Sequence, residues 1–116
     1  MKKVLVTGGA GYIGSHTVRL LVTKGYQVVV LDNLVYGHEE AVVDDEVILV
    51  KGDLGDEPLL NELFKTHQFE AVLHFAAYAY VGESVSHPHK YYVNNVAKPL
   101  TLLKTMVDHG CFKFIF

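Results

Sequence analysis

The residues best placed to do chemistry in this chain are glycines followed by a single acid. Val4-Leu5-Val6-Thr7 runs into Gly8-Gly9-Ala10-Gly11-Tyr12-Ile13-Gly14, and a second apolar run, Val28-Val29-Val30-Leu31, ends on Asp32. Glycine suits such a turn for three reasons. A tight strand-to-helix turn calls for φ > 0, which glycine adopts at no steric cost. A missing side chain lets backbone N–H groups approach a pyrophosphate, and a glycine on the first helical turn lets the helix pack hard on the strand. The helix N-terminus then offers N–H donors and partial positive charge to phosphates. The spacing reads either as Gly9, Gly11 and Gly14 (G-x-G-x-x-G) or as Gly8, Gly11 and Gly14 (G-x-x-G-x-x-G).

Asp32 follows Gly14 at close to the spacing of about 20 residues at which an acid hydrogen-bonds the ribose 2′-hydroxyl of a dinucleotide. A carboxylate there repels a 2′-phosphate, and no arginine stands beside it, so the pattern favours NAD over NADP. Asp32-Asn33 is also turn chemistry, and a capping role for Asp32 is compatible with the ribose contact.

The elements that must position these residues alternate. Strands are expected near Lys3–Thr7, Gln27–Leu31, Val47–Lys51, Ala71–His74 and Lys113–Phe116, with helices near Tyr12–Lys24, Glu57–His67 and Tyr91–His109. The segment Tyr36–Glu46 is too short and polar for more than a helical turn or two. Gly25 is expected to close the first helix. Pro99, inside the last helical pattern, should kink that helix or begin a new one. Strands that are apolar throughout imply a parallel sheet covered on both faces. The fold class is therefore α/β, a Rossmann-type doubly wound parallel sheet of about five strands in the order 3-2-1-4-5, with ligand at the carboxyl ends. Thr7–Gly14, Asp32–Asn33, Gly52–Leu54 and Phe75–Ser84 all fall at those ends. The expected last strand has no turn after it, so the sheet is expected to be incomplete and the chain a fragment.

The 116 residues are enough for one domain and a core, and half of them are hydrophobic. A net charge of −3 gives no basic footprint for nucleic acid. No apolar run is long enough to cross a membrane. Cys111 is the only cysteine, which excludes an internal disulfide, fits a reducing cytoplasm, and reads best as a small buried hydrophobe.

Thr7-Gly8-Gly9-Ala10-Gly11-Tyr12-Ile13-Gly14-Ser15-His16-Thr17 resembles the opening of extended short-chain dehydrogenase/reductases. Asp32-Asn33-Leu34, Gly52-Asp53-Leu54, His74-Phe75-Ala76-Ala77, Val81-Gly82-Glu83-Ser84-Val85 and Tyr91-Tyr92-Val93-Asn94-Asn95-Val96 narrow the likeness to the amino-terminal third of the UDP-sugar 4-epimerases of that family. The resemblance implies that residues 1–116 form the amino-terminal part of an NAD-binding domain, with the rest of that domain and the substrate domain absent. It also implies that backbone around Gly8, Gly11, Tyr12, Ile13 and Gly14 holds the pyrophosphate. Asp32, Asn33 and Leu34 would hold the adenosine ribose, with Tyr36-Gly37 close by. Asp53 would accept from the adenine amino group, with Leu54 beside the ring, although Asp53 could instead cap the helix near Glu57. Phe75, Ala76 and Ala77 would line the path to the nicotinamide ribose, and Asn94 would face the cofactor.

The chemistry so implied is oxidation of a sugar C4 hydroxyl and reduction on the other face, using a tyrosine base with a lysine that stabilises its phenolate. No tyrosine of residues 1–116 has a lysine four positions later. The chain is thus expected to carry the cofactor half and no catalytic residues, meeting a UDP-sugar only when the missing part is supplied; members of the family are often homodimeric. It departs from the family pattern at Ala79, where many members have lysine, in the short connection from Asp32 to Val47, and at Lys98-Pro99, where a Gly-Thr pair is usual. His87-Pro88-His89 lacks the Cys or acid that a metal clip needs. His74 is expected to be structural, and Glu83-Ser84 either a substrate-side loop or a helix cap.

Overall fold

A strand rich in β-branched residues and buried on both faces sits at the centre of a parallel sheet, and β1 (Lys3–Thr7) does so here. The computed structural model of the chain describes residues 2–10, 12–33, 47–75, 89 and 97–115. Within them β1 pairs in parallel with β2 (Gln27–Asp32) on one side and β4 (Ala71–His74) on the other. β3 (Val47–Lys51) pairs with β2, and β5 (Phe114–Ile115) with β4. The order is β3-β2-β1-β4-β5, as the alternation of elements predicts. Register sets Thr7 opposite both Leu31 and His74, so three strands end at one level.

The two-residue period of the strands divides the core between the two faces. Leu5, Val29, Leu31 and Val72 pack with Leu60, Leu63 and Phe64 of α2 (Glu57–Thr66) and with Leu102 and Met106 of α3 (Lys98–Asp108). Val4, Val6, Val28 and Val30 pack on the other face with Val18, Leu21 and Val22 of α1 (Tyr12–Thr23). The edge strands β3 and β5 are the exceptions to double burial, with Ile48 and Ile115 exposed.

Element ends follow local chemistry. Asp56 caps α2 by accepting the Leu59 N–H (3.2 Å), Pro58 lies in the first turn where its missing N–H costs nothing, and Glu57 and Lys65 match the helix dipole. α1 closes at Gly25 as expected, with Tyr26 N–H reaching Leu21 O (3.1 Å) in a Schellman pattern. Pro99 lies in the first turn of α3, and the residues before Ala97, on which the choice between a kink and a new helix turns, lie outside the described residues. Bounds differ from expectation by a residue or so: β2 runs on to Asp32, α1 ends at Thr23, α2 at Thr66, and β5 begins at Phe114, Phe116 lying outside the described residues. The segments Tyr36–Glu46 and Tyr91–Val96 lie outside the described residues.

Candidate dinucleotide site

The carboxyl ends of β1, β2, β3 and β4 are stitched into one rim by backbone bonds that outrun the ladders. Gly8 N–H donates to Leu31 O (2.8 Å), Gly52 N–H to Asp32 O (3.0 Å), and Phe75 N–H to Thr7 O (2.8 Å). The rim therefore gathers Gly8, Asp32, Asn33, Asp53, Leu54 and Phe75, six of the sequence-singled residues.

Each glycine of the turn that the structure describes has its own reason. Gly8 has φ of 73°, a backbone region that L side chains rarely adopt. A Cβ on Gly14 would overlap the Gly8 carbonyl oxygen, so only glycine lets the first turn of α1 lie on the end of β1. A Cβ on Gly9 would stand 2.8 Å from both Val30 methyls. Both glycine spacings thus have physical support, and the positive φ belongs to Gly8. Gly11, common to both, lies outside the described residues.

Tyr12 and Ile13, 82% and 66% exposed, open the first turn of α1 to solvent. Early N–H groups of a helix have no intrahelical acceptor. The Tyr12 ring stands edge-on to His16 at 4.9 Å. Asp32 is buried at 8% exposure, and its Oδ2 accepts the Ala10 N–H at 3.1 Å. The acid thereby braces the glycine turn and lies beside it, a tie across 22 residues and not a cap of its own Asp32-Asn33 turn. Asn33 is half-buried next to it.

Asp53 is not the helix cap that its position also allowed, because Asp56 immediately precedes the helix and does that work. Instead Asp53 Oδ1 accepts the Gly55 N–H (3.2 Å) in a local turn, and Oδ2 pairs with Lys98 Nζ at 2.7 Å. Burial alone would raise the Asp53 carboxyl; the Lys98 ammonium and the Gly55 and Leu54 N–H groups outweigh it and hold the group below its ordinary value. Leu54 is buried among the core residues of the α2 face, so its side chain has little open surface to lay beside a ring. Phe75 is half-buried against the valines of the α1 face. Leu34, Tyr36, Gly37, Ala76, Ala77 and Asn94 lie outside the described residues, as do Glu83-Ser84 and His87-Pro88.

His74 is structural, as expected. It is buried, its Nδ1 lies 2.6 Å from Thr7 Oγ1, and its ring tilts over Phe114. Burial pushes its pKa down, so it stays neutral at neutral pH. Cys111 is buried in the core, and burial pushes its thiol up, away from nucleophilic use. A cavity of about 410 Å³ lined by Phe64, Lys65, Phe69, His109 and Cys111 lies at the amino ends of β4 and β5, the opposite rim. Among the described residues no three His, Cys, Asp or Glu side chains group to hold a metal, and no helix is long and apolar enough to cross a membrane. Sequence reasoning missed Lys98 as the partner of Asp53, because 45 residues separate them and no local pattern marks the pair. It also missed Asp56, which an acid directly before Glu57-Pro58 does signal.

The sheet order and the glycine turn define a Rossmann-type doubly wound α/β protein. Residues 4–116 match the NAD dependent epimerase/dehydratase family. A UDP-glucose 4-epimerase of Halalkalibacterium halodurans is 53% identical over 113 residues, 97% of this chain and 33% of that protein. UDP-glucose 4-epimerase 1 of Oryza sativa is 46% identical, over 100% of this chain and 35% of its own length. The crystal structure of UDP-glucose 4-epimerase from Brucella ovis in complex with NAD superposes with a TM-score of 0.94 at 47% identity, over 100% of this chain and 35% of that one. The chain belongs to the NAD dependent epimerase/dehydratase family, and it spans about a third of the length of the curated relatives it matches.

Proposed function

We propose that residues 1–116 form the NAD-binding amino-terminal portion of a UDP-glucose 4-epimerase, and that taken by themselves they do not interconvert UDP-galactose and UDP-glucose. The observation that carries this reading is the buried Asp32 carboxylate bonded to Ala10 N–H beside a turn that only Gly8 and Gly14 permit. An anion cradle and a ribose-facing acid on one rim fit a dinucleotide that lacks a 2′-phosphate. When bound, NAD supplies a hydride acceptor for the sugar C4 position. The chain's own residues bind and orient it: Gly8, Gly11, Tyr12, Ile13 and Gly14 at the pyrophosphate, Asp32, Asn33 and Leu34 at the adenosine ribose with Tyr36 and Gly37 nearby, Asp53 and Leu54 at the adenine. Phe75, Ala76, Ala77 and Asn94 lead toward the nicotinamide. The tyrosine–lysine pair that would move the proton is missing from residues 1–116.

The UDP-sugar is met only with the remaining part in place. A homodimer is supported by an apolar stripe on α3, where Leu100, Leu103 and Val107 are exposed at helical spacing. A lone buried thiol suits the cytoplasm.

Calorimetric titration of NAD and NADP into purified 1–116, with circular dichroism to establish folding, tests the reading. Binding of NAD and not NADP is expected. No binding by the folded chain, or turnover of UDP-galactose by it alone, overturns the proposal.

A further inference from the structure

Lys98 takes no part in the binding roles proposed above, yet among the described residues it is a cation held firmly near the rim. Its ammonium reaches Asp53 Oδ2 at 2.7 Å, with the lysine side chain 25% and the aspartate 45% exposed. Its stem crosses the loop before α2, so that a Cβ built on Gly55 would stand 3.5 to 3.7 Å from the Lys98 Cγ, Cε and Cδ. Lys98 is the first residue of α3, with the buried Pro99 next to it, and Lys104, six residues on, pairs with Glu57 of α2 (3.2 Å). The ammonium is therefore held at Asp53 by a stem laid along Gly55 on the first turn of α3, with the Lys104–Glu57 pair tying the same two helices further along.

We propose that Lys98 is a positioning residue for Asp53, fixing its carboxylate so that the dinucleotide site takes a purine bearing a 6-amino group and rejects one bearing a 6-oxo group. This rests on the reading of Asp53 as the acceptor for adenine. An ionised carboxylate only accepts hydrogen bonds and offers about four acceptor positions. The Gly55 N–H fixes Oδ1, and Lys98 fixes Oδ2, which stops rotation about the Cβ–Cγ bond and keeps the group ionised. The nearly half-exposed remainder then faces a base in one orientation. An amino group can donate to it, whereas a 6-oxo oxygen meets a like partial charge. Selectivity here is rejection as much as attraction.

The probe pair is NAD and nicotinamide hypoxanthine dinucleotide, in which the 6-amino group is replaced by 6-oxo and N1 carries a proton, titrated into the 116-residue chain. A hydrogen bond to a charged acceptor corresponds to about a ten- to hundredfold preference for NAD. Lys98→Met keeps the stem over Gly55 and removes the ammonium. It is expected to cut that preference by about threefold or more, mainly by weakening NAD. Lys98→Arg is expected to restore most of it. Asp53→Asn, which can accept or donate, should bring the preference close to one. If Lys98→Met weakens both dinucleotides equally and leaves their ratio intact, Lys98 is merely a structural tie and the proposal falls. If Lys98→Met does not fold by circular dichroism, Lys98→Gln takes its place with the same expectation. A wild-type ratio near one, an unchanged ratio in Asp53→Asn, or no binding of either compound overturns the adenine reading itself and the role of Lys98 with it.

Discussion

Replacing Gly14 with alanine sets two effects of opposite sign against each other. Alanine is favoured over glycine inside a helix by about 1 kcal/mol, so on propensity alone the change stabilises α1. The added Cβ, however, would stand well under 3.0 Å from the Gly8 carbonyl oxygen, an approach that real Cβ atoms essentially never make. That oxygen cannot swing aside, because Gly8 is pinned by its own N–H to Leu31 O and by its φ of 73°. Relief requires the first turn of α1 to move off the sheet, which strains the Ala10 N–H bond to Asp32. Overpacking costs about 1–3 kcal/mol, and weakening one buried hydrogen bond to a charged group adds about 1.5 kcal/mol or more. The net expectation is a loss of about 2 kcal/mol. Urea unfolding followed by circular dichroism reads this as a midpoint lowered by about 1 M. Gly55→Ala is the control: its Cβ would meet only the Lys98 stem at ordinary contact distance, so a change within about 0.5 kcal/mol is expected. A Gly14→Ala chain as stable as wild type, or a Gly55→Ala chain equally damaged, refutes the argument from close approach.

Other outcomes follow from the same structure. Asp56→Ala removes the side-chain cap of α2 and should cost about 1 kcal/mol in the same urea assay, whereas Asp53→Ala leaves that cap intact. The buried His74 has a pKa below its ordinary 6.5, so the unfolded chain takes up its proton first on acidification. Its contribution to stability is whole above about pH 6.5 and is lost as pH falls toward the folded value. Urea midpoints at pH 7.5 and 5.5 should show lower stability in acid, with a flat or rising trend counting against it. Val107→Glu, on the exposed stripe of α3, should leave folding unchanged and shift sedimentation toward monomer; a monomeric wild-type chain removes that role from the stripe.

What was legible in the sequence was the part governed by local periodicity and by single special residues. Val4–Val6 and Val28–Leu31 could only be buried central strands, and the turn between β1 and α1 declared itself through its glycines, so the sheet order followed from right-handed connections. Element ends were less legible because they depend on competition between neighbours. Asp53 and Asp56 are both acids before the same helix, and only the run of Asp56 directly into Glu57-Pro58 decides which one caps it. Leu54 shows the limit on the site: the resemblance sets it beside the adenine ring, and no local pattern announces that its side chain is also part of the core on the α2 face. Lys98 shows the limit on pairing. Beside a proline it read as a disturbance to a helix, and only the packing of α2 on α3 brings it to Asp53.

The central place of β1 also governs how the chain comes off the ribosome. Its first partner, β2, follows after a single helix, but its second, β4, is some 40 residues later still, which at about 5–20 residues per second is a delay of about 2–8 s. Throughout that interval the β4-facing side of Val4-Leu5-Val6 is an open, apolar strand edge with unpaired amides. Pairing with β4 closes that edge and brings the hydroxyl of Thr7 to the ring of His74. The open edge then passes outward to β4, whose own partner β5 is about as far along the chain again.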